Sequence, residues 1–298
     1  MSEMDETPPV RQQSWTVDGP ADIDVTVDVG RVRIDLAEGG EEVRVEVRHE
    51  PTAGSGFELG FGGLVSWLAT AASASLGGSV PAAAVRTAEI TWQDRSRRLI
   101  VRSATELPLR MVPLAVTVSA PASSTVTVRT GAGDVTIDGR AGRATAKTGS
   151  GDVRLGPVDG DAEVTTGSGR INLDSVQGRS RLRTGSGSIT VGGLHGAAEI
   201  NSSSGTVGLG EVSADLTVRT GSGDVRIDDA RSGRFELSTG SGELVLRVHP
   251  GVIAELDLSS GSGRARSDLP VSSTPPDTEA ALTVRGRTGS GDVLVTRA

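Results

Sequence analysis

The chain has no cysteine and no tyrosine, and only three phenylalanines and three tryptophans in 298 residues. Without thiols it can form no disulfide framework, thiolate metal site or cysteine nucleophile. With so few aromatics, burial must be assembled from Val, Leu, Ile and Ala in many small increments, which favours a thin, layered core. An excess of basic charge is missing too: 38 acidic residues against 30 basic ones give a formal net charge of −8. Phosphate contact needs a concentrated basic surface, so nucleic acid is not expected as a partner. Long apolar runs are equally scarce. Residues 59–85 carry no charge, but Gly, Ser and Pro interrupt them and make a poor membrane span. The opening MSEMDETPPVRQQSW is acidic where a signal peptide would be basic, and no apolar core follows it. That predicts a cytoplasmic protein, with contact at a membrane periphery as the other option.

Glycine is abundant, with 41 residues, and it is periodic. The loops TGAGDV (Thr130), TGSGDV (Thr148), TGSGRI (Thr166), TGSGSI (Thr184), SSSGTV (Ser202) and TGSGDV (Thr220) recur with a constant 18-residue period. Further copies follow at Thr239, Ser260 and Thr288 after longer and unequal intervals. A fixed period of this length marks a repeat architecture too short for helical pairs or propeller blades. Numbered from the Thr, position 6 (Val135, Val153, Ile171, Ile189, Val207, Val225) and position 8 (Ile137, Leu155, Leu173, Val191, Leu209, Ile227) are apolar. Their alternation reads as a strand. A second strand ends at position 17 (Ala146, Val164, Leu182, Ile200, Val218). The two strands are separated by one bend at the TGSG loop and another at the Gly of position 13. Positive φ is the expected reason for glycine at both bends. The predicted fold is therefore all-β, a single-stranded parallel β-solenoid of 18-residue coils, right-handed and β-helix-like by analogy with parallel crossovers.

The loop glycines Gly131, Gly133, Gly149, Gly151, Gly167, Gly169, Gly185, Gly187, Gly221 and Gly223 are assigned as structural turn residues. Two chemical alternatives fail. Anchored on Lys147 and Thr148 the chain reads AGRATAKT, with Ala141 and Ala146 where a phosphate-binding P-loop needs glycine. A calcium β-roll needs an oxygen ligand in each coil, whereas position 5 includes Arg170 and Arg264. The Thr and Ser of the loop are read as corner groups that satisfy turn amides and stack on their equivalents. His49, His195 and His249 lie at no metal-ligand spacing, and no G-x-S-x-G elbow occurs. No catalytic, cofactor-binding or metal residue is assigned. A polysaccharide-acting enzyme would need outward acids on neighbouring coils with a basic group nearby, and Asp134, Asp152 and Arg170 are the residues that meet this description.

Ahead of the clear repeats, DIDVTVDVGRVRIDL (22–36) and EEVRVEVRHE (41–50) alternate strictly, and AEITWQDRSRRLIVRS (88–103) reads as a hairpin turning at Asp94 to Arg97. DVGRVRID, PLAVTVSAPASSTVTVRTGAGDVTIDG and the repeated TGSGD together resemble the bacterial DUF4097 family, related to the toastrack domains of envelope-stress proteins. The resemblance spans residues 14–298 and implies a non-enzymatic, adhesin-like β-solenoid, in relatives often attached to membrane segments. The expected role is a binding or scaffold module for a protein or glycan. A membrane-associated envelope-stress signalling component is the alternative. The expected organisation is a tail over 1–13, an irregular first part over 14–120 with an insert at 57–85, and regular coils over 121–298 with a loop excursion at 266–280. Within the insert, Leu64, Trp67, Leu68, Ala71, Ala72 and Leu76 recur at helical spacing and predict a weakly amphipathic helix. Phe57, Phe61, Leu64, Trp67 and Leu68 are the residues expected to touch a partner or a membrane surface.

Overall fold

Alternating apolar and polar residues place strands along almost the whole chain, and the 18-residue period sets their register. The computed structural model describes residues 10–50, 80–270 and 280–298. Contacts divide the chain into two units, Met1–Ala141 with Ala146–Ser150, and Gly142–Thr145 with Gly151–Ala298. The elements are β1 (Val10–Thr16), β2 (Asp22–Ala37), β3 (Glu42–His49), α1 (Val80–Thr87), β4 (Glu89–Gln93), β5 (Arg98–Arg102), β6 (Leu114–Pro121) and β7 (Thr125–Asp138). The repeats follow as β8 (Arg143–Thr148), β9 (Val153–Leu155), β10 (Ala162–Thr166), β11 (Ile171–Val176), β12 (Ser180–Thr184), β13 (Ile189–Leu194), β14 (Ala198–Ser202), β15 (Val207–Val212) and β16 (Leu216–Thr220). The chain ends with β17 (Val225–Ala230), β18 (Gly233–Thr239), β19 (Leu244–Val248), β20 (Ala254–Ser260), β21 (Ala265–Ser267), β22 (Leu282–Thr288) and β23 (Val293–Arg297).

The second unit is a parallel β-solenoid. Each strand pairs with its counterpart one period away, so that Val164 meets Leu182, Leu182 meets Ile200 and Ile200 meets Val218. On the second set of strands Val153, Ile171, Ile189, Val207, Val225 and Leu244 form one column. Apart from Phe235, the buried apolar set of this unit consists of Val, Leu, Ile and Ala, in keeping with the composition. The coil between Thr220 and Thr239 is one residue longer than the regular period, and the extra length is absorbed at the second bend, where Gly233 adopts φ +111°.

Chain order and stacking order part company near the C-terminus. Strand β22 lies between β18 and β20, and β23 lies between β19 and β21. The last coil in sequence is thus inserted ahead of the one that precedes it. Thr239 and Ser260 both take Thr288 as their neighbour.

The first unit repeats this displacement at its own edge. Strand β2 pairs with β5 and β6 on one side and with β7 on the other, all parallel. Gly30 stands opposite Gly133, so DVGRVRID takes the place of a loop and strand in a coil. The antiparallel β1 and β3 extend the sheet from β6, and β4 and β5 form the expected hairpin with its turn at Asp94–Ser96. Trp15 stacks on Trp92, with ring centroids 5.6 Å apart. The helix α1 buries Val80, Ala84 and Val85. The amphipathic helix expected from Leu64 to Leu76 lies outside the described residues.

Candidate functional site

From Thr148 onward the glycine loops are corners held from within, whereas Gly131 and Gly133, expected in a turn, lie inside the continuous strand β7. The Thr184 Oγ1 donates to the Gly169 carbonyl of the preceding coil (3.1 Å) and accepts from the Gly187 amide of its own loop (3.2 Å). Thr166, Thr239 and Thr288 repeat both bonds at 3.0 to 3.1 Å. All four side chains are buried. Each hydroxyl therefore closes its own turn and also ties adjacent coils together. Thr184→Val keeps the shape but strands a buried donor and a buried acceptor, and is expected to cost about 1 to 3 kcal/mol in urea unfolding. An unchanged unfolding midpoint would contradict this role.

The structure corrects the reason for glycine. Positive φ among the described glycines occurs at Gly19, Gly30, Gly39, Gly139, Gly233 and Gly251, and none of these lies in a TGSG loop or at position 13 (Gly142, Gly160, Gly178, Gly196). Space is what demands glycine there. A Cβ on Gly187 would sit 1.8 Å from the Gly169 oxygen, and one on Gly169 would sit 1.7 Å from the Gly151 oxygen. The coils approach so closely at this corner that backbone meets backbone.

Carboxylates at both bends bind the next coil. The Asp152 Oδ1 accepts the Arg170 amide at 2.8 Å, and its Oδ2 accepts the Arg170 guanidinium at 2.7 Å. Asp224 receives the Glu243 amide, Asp292 that of Arg264, Asp161 that of Arg179 and Asp215 that of Arg234. Two of the three residues that an enzyme reading would use are thus bonded to each other, with their side chains 43% and 67% exposed. Burial opposes ionisation of Asp152, but the Arg170 hydrogen bonds outweigh it and hold the carboxyl below its ordinary range. A depressed carboxylate stabilises the fold at neutral pH and ceases to do so as pH falls through its folded-state value. Asp152→Asn should therefore cost under about 1 kcal/mol at neutral pH, given the exposure of the pair. The difference from wild type should shrink in urea titrations as pH falls below the ordinary aspartate range and through the depressed folded-state value. A penalty that does not shrink with acidification would assign the effect to something other than charge.

The histidines do not meet. The His195 Nδ1 lies 3.1 Å from the Ser213 Oγ and 3.8 Å from Glu211, and the His249 Nδ1 lies 2.8 Å from the Asp229 Oδ1. Arg231 stands between the two pairs, bonded to both Glu211 and Asp229. Among the described residues no three His, Asp or Glu side chains gather as a metal ion would require. No described helix is long and apolar enough to cross a membrane. Phe57, Phe61, Leu64, Trp67 and Leu68 lie outside the described residues. At the outermost coil of the second unit, Ile253, Leu256, Leu258, Leu269 and Pro270 line a depression of ≈ 750 Å³. There the inward set of β20 is only half-buried, because β20 has a parallel neighbour on one side.

Position 18, just before each loop, is not among the sequence-predicted site residues; it is exposed at Arg183, Arg219, Ser238, Ser259 and Arg287 and half-buried at Thr165 and Asn201. Strand pairing sets Thr165, Arg183, Asn201, Arg219, Ser238, Arg287 and Ser259 in one row. The signal for Arg183 and Arg219 was present, since they stand two regular periods apart. Arg287 joins the row only through the displaced last coil. Beside the row runs a depression of ≈ 440 Å³ bordered by Arg183, Asn201, Ser203, Arg219 and Gly221. A second, of ≈ 270 Å³, is bordered by Arg219, Ser238, Arg285 and Arg287.

Comparison with known proteins places this geometry. The sequence profile of a family described as Toastrack DUF4097 matches residues 114–209 and 161–297. No curated protein matches the chain. Among solved structures, a candidate adhesin from Bacteroides fragilis is similar over 97% of this chain and 98% of its own, with 12% identity and a TM-score of 0.50. A candidate adhesin from Parabacteroides distasonis matches over 97% of each chain with 12% identity and a TM-score of 0.46.

Proposed function

The chain belongs to the Toastrack DUF4097 family, and from that premise we propose that it is a non-enzymatic, adhesin-like module whose coils present rows of side chains to a protein or glycan. The observation that carries this reading is the use made of the polar groups. The hydroxyls of Thr148, Thr166, Thr184, Thr239, Ser260 and Thr288 and the bend carboxylates are engaged in coil-to-coil hydrogen bonds, as in Thr184 to Gly169 and Asp152 to Arg170. Catalysis needs a nucleophile with a positioned base or a pair of free carboxylates in a shielded cleft. Asp152 and Arg170 instead lie open to solvent and are committed to each other. Such rows suit recognition, which draws on many modest contacts spread along a surface. The description of a solved relative as a candidate adhesin supports the same reading.

The test is capture. Immobilised folded protein is challenged with purified envelope polysaccharides and envelope proteins of the source organism, with Ile189→Asp protein as the unfolded control. Saturable binding by the folded chain alone supports the proposal. Release of reducing ends from a captured glycan would make the protein an enzyme and overturn it.

A further inference from the structure

In the row at position 18 the chemistry alternates, and no acidic residue enters it. Thr165, Asn201, Ser238 and Ser259 are neutral, and Arg183, Arg219 and Arg287 fall between them. Neighbouring coils lie about 4.8 Å apart, so the cations recur roughly every 10 Å along the stacking direction. All three arginines are exposed. Among the described residues Arg219 makes no hydrogen bond or ion pair, and Arg287 has only a 3.9 Å approach to Asp257. Arg183 is left with the longer-range attraction of Glu199, whose oxygens are taken by Arg181 (3.2 Å) and Asn201 (3.1 Å). Glu236 borders the second depression together with Arg285, and Arg285 is itself paired with Asp257 at 3.1 Å. The acids therefore lie in the flanking row and leave the row of arginines open.

Alongside this row the corner is nearly bare of side chains. Its floor is made by position 2, where Gly185, Ser203, Gly221 and Gly240 bond backbone to backbone from coil to coil. The two depressions meet at Arg219, the first on the loop side of the row and the second on the side of Glu236 and Arg285, so the arginine row itself is the accessible lane along the stack. A lane of this kind suits an extended polymer with an anion at every second unit.

We propose that this lane binds a linear glycan carrying uronic-acid carboxylates, laid parallel to the stacking direction, with Arg183, Arg219 and Arg287 each holding a carboxylate. The inference deepens the adhesin-like reading and rests on it. Arginine is suited to the task because its planar fork meets a carboxylate with two parallel bonds. An extended pyranose chain advances by a length comparable to one coil per sugar, so a disaccharide repeat spans two coils and returns a carboxylate to each arginine. Asn201 and Ser238 then face the intervening sugar, whose hydroxyls they can pair with. A nucleic acid fits poorly. Its phosphates are spaced far more closely than the arginines, about 3.4 Å apart along each strand of a duplex, and no aromatic platform for base stacking stands in the row. A membrane fits poorly as well, since the row has no apolar side chain to insert.

The test is titration of the folded chain with hyaluronan and polygalacturonate decasaccharides, with their carboxyl-methylated forms as neutral controls. Wild type should bind at least one acidic oligosaccharide saturably and lose it on methylation. Arg219→Gln should weaken binding about ten-fold, and Arg183→Gln with Arg219→Gln about a hundred-fold. Circular dichroism should show both variants folded, since these side chains are on the surface. Arg226→Gln, which removes the same charge from the strand after the loop, should bind like wild type. No saturable binding to either oligosaccharide, equal binding by the double variant, or equal binding of oligo-dT or phosphatidylserine vesicles would each overturn the assignment. If envelope material is captured undiminished by the double variant, the lane is wrong and the adhesin-like reading stands. If nothing is captured by any surface, that reading fails as well.

Discussion

Replacing Ile189 by aspartate is expected to abolish cooperative folding. Ile189 is 0% exposed and lies in the column between Ile171 and Val207. A carboxylate there would face apolar neighbours with no cation or donor, and such burial costs several kcal/mol. A domain has only about 5 to 15 kcal/mol of stability in total. In a stack where each coil is supported by its two neighbours, a defect in the middle removes support on both sides at once. The expected result is insoluble or molten protein without a sharp thermal transition in circular dichroism. A soluble Ile189→Asp protein with a cooperative transition would show that this position does not face the core.

Gly187→Ala is expected to cost about 3 kcal/mol, the upper end of what a methyl group forced into a closed packing costs. Its Cβ would stand 1.8 Å from the Gly169 oxygen and 2.4 Å from the Gly169 carbonyl carbon, and neither atom can move without opening the ladder between coils. The same change at Gly208 should behave in the opposite way. Nothing lies within 4 Å of a Cβ built there. Its place on an open strand makes alanine neutral, or stabilising by up to about 1 kcal/mol through the unfolded state. Urea unfolding of the two variants beside wild type decides the matter. Equal destabilisation of both would mean that backbone entropy governs these glycines, and equal tolerance would mean that the coil spacing gives way easily.

The sequence made the solenoid legible because, in a stack, register and period are the same quantity. Ile171, Ile189 and Val207 are successive by one period in the chain and adjacent in space. Alternation then identifies the inward set with no knowledge of the third dimension. Legibility ended where spatial neighbours ceased to be one period apart. Thr288 follows Ser260 in the chain, yet it sits between Ser260 and Thr239, and no local pattern encodes that insertion. Trp15 and Trp92 likewise meet from remote parts of the first unit through pairing of distant strands. The repeat marks the loop glycines as turn candidates, but composition does not separate a demand for positive φ from a demand for space. Only the Gly169 oxygen beside Gly187 does that. The arginine row was half visible, since Arg183 and Arg219 keep the period, whereas Arg287 enters it through the displaced coil.

That displacement has a consequence for how such a protein can change its length. In the second unit the last coil of the chain is wedged between β18 with β19 on one side and β20 with β21 on the other. In the first unit the earliest coil strand, β2, is enclosed by β6 and β7 in the same way. A coil duplicated from β22 and β23 would start inside the stack, where both strands already have a parallel neighbour on each side. An in-frame duplication of one period between Thr166 and Thr220 meets no such obstacle, because each regular coil there offers the next the same ladder of amides, hydroxyls and glycine corners. Growth by gene duplication is thereby accommodated in the regular coils of the second unit, with the displaced last coil left as it is.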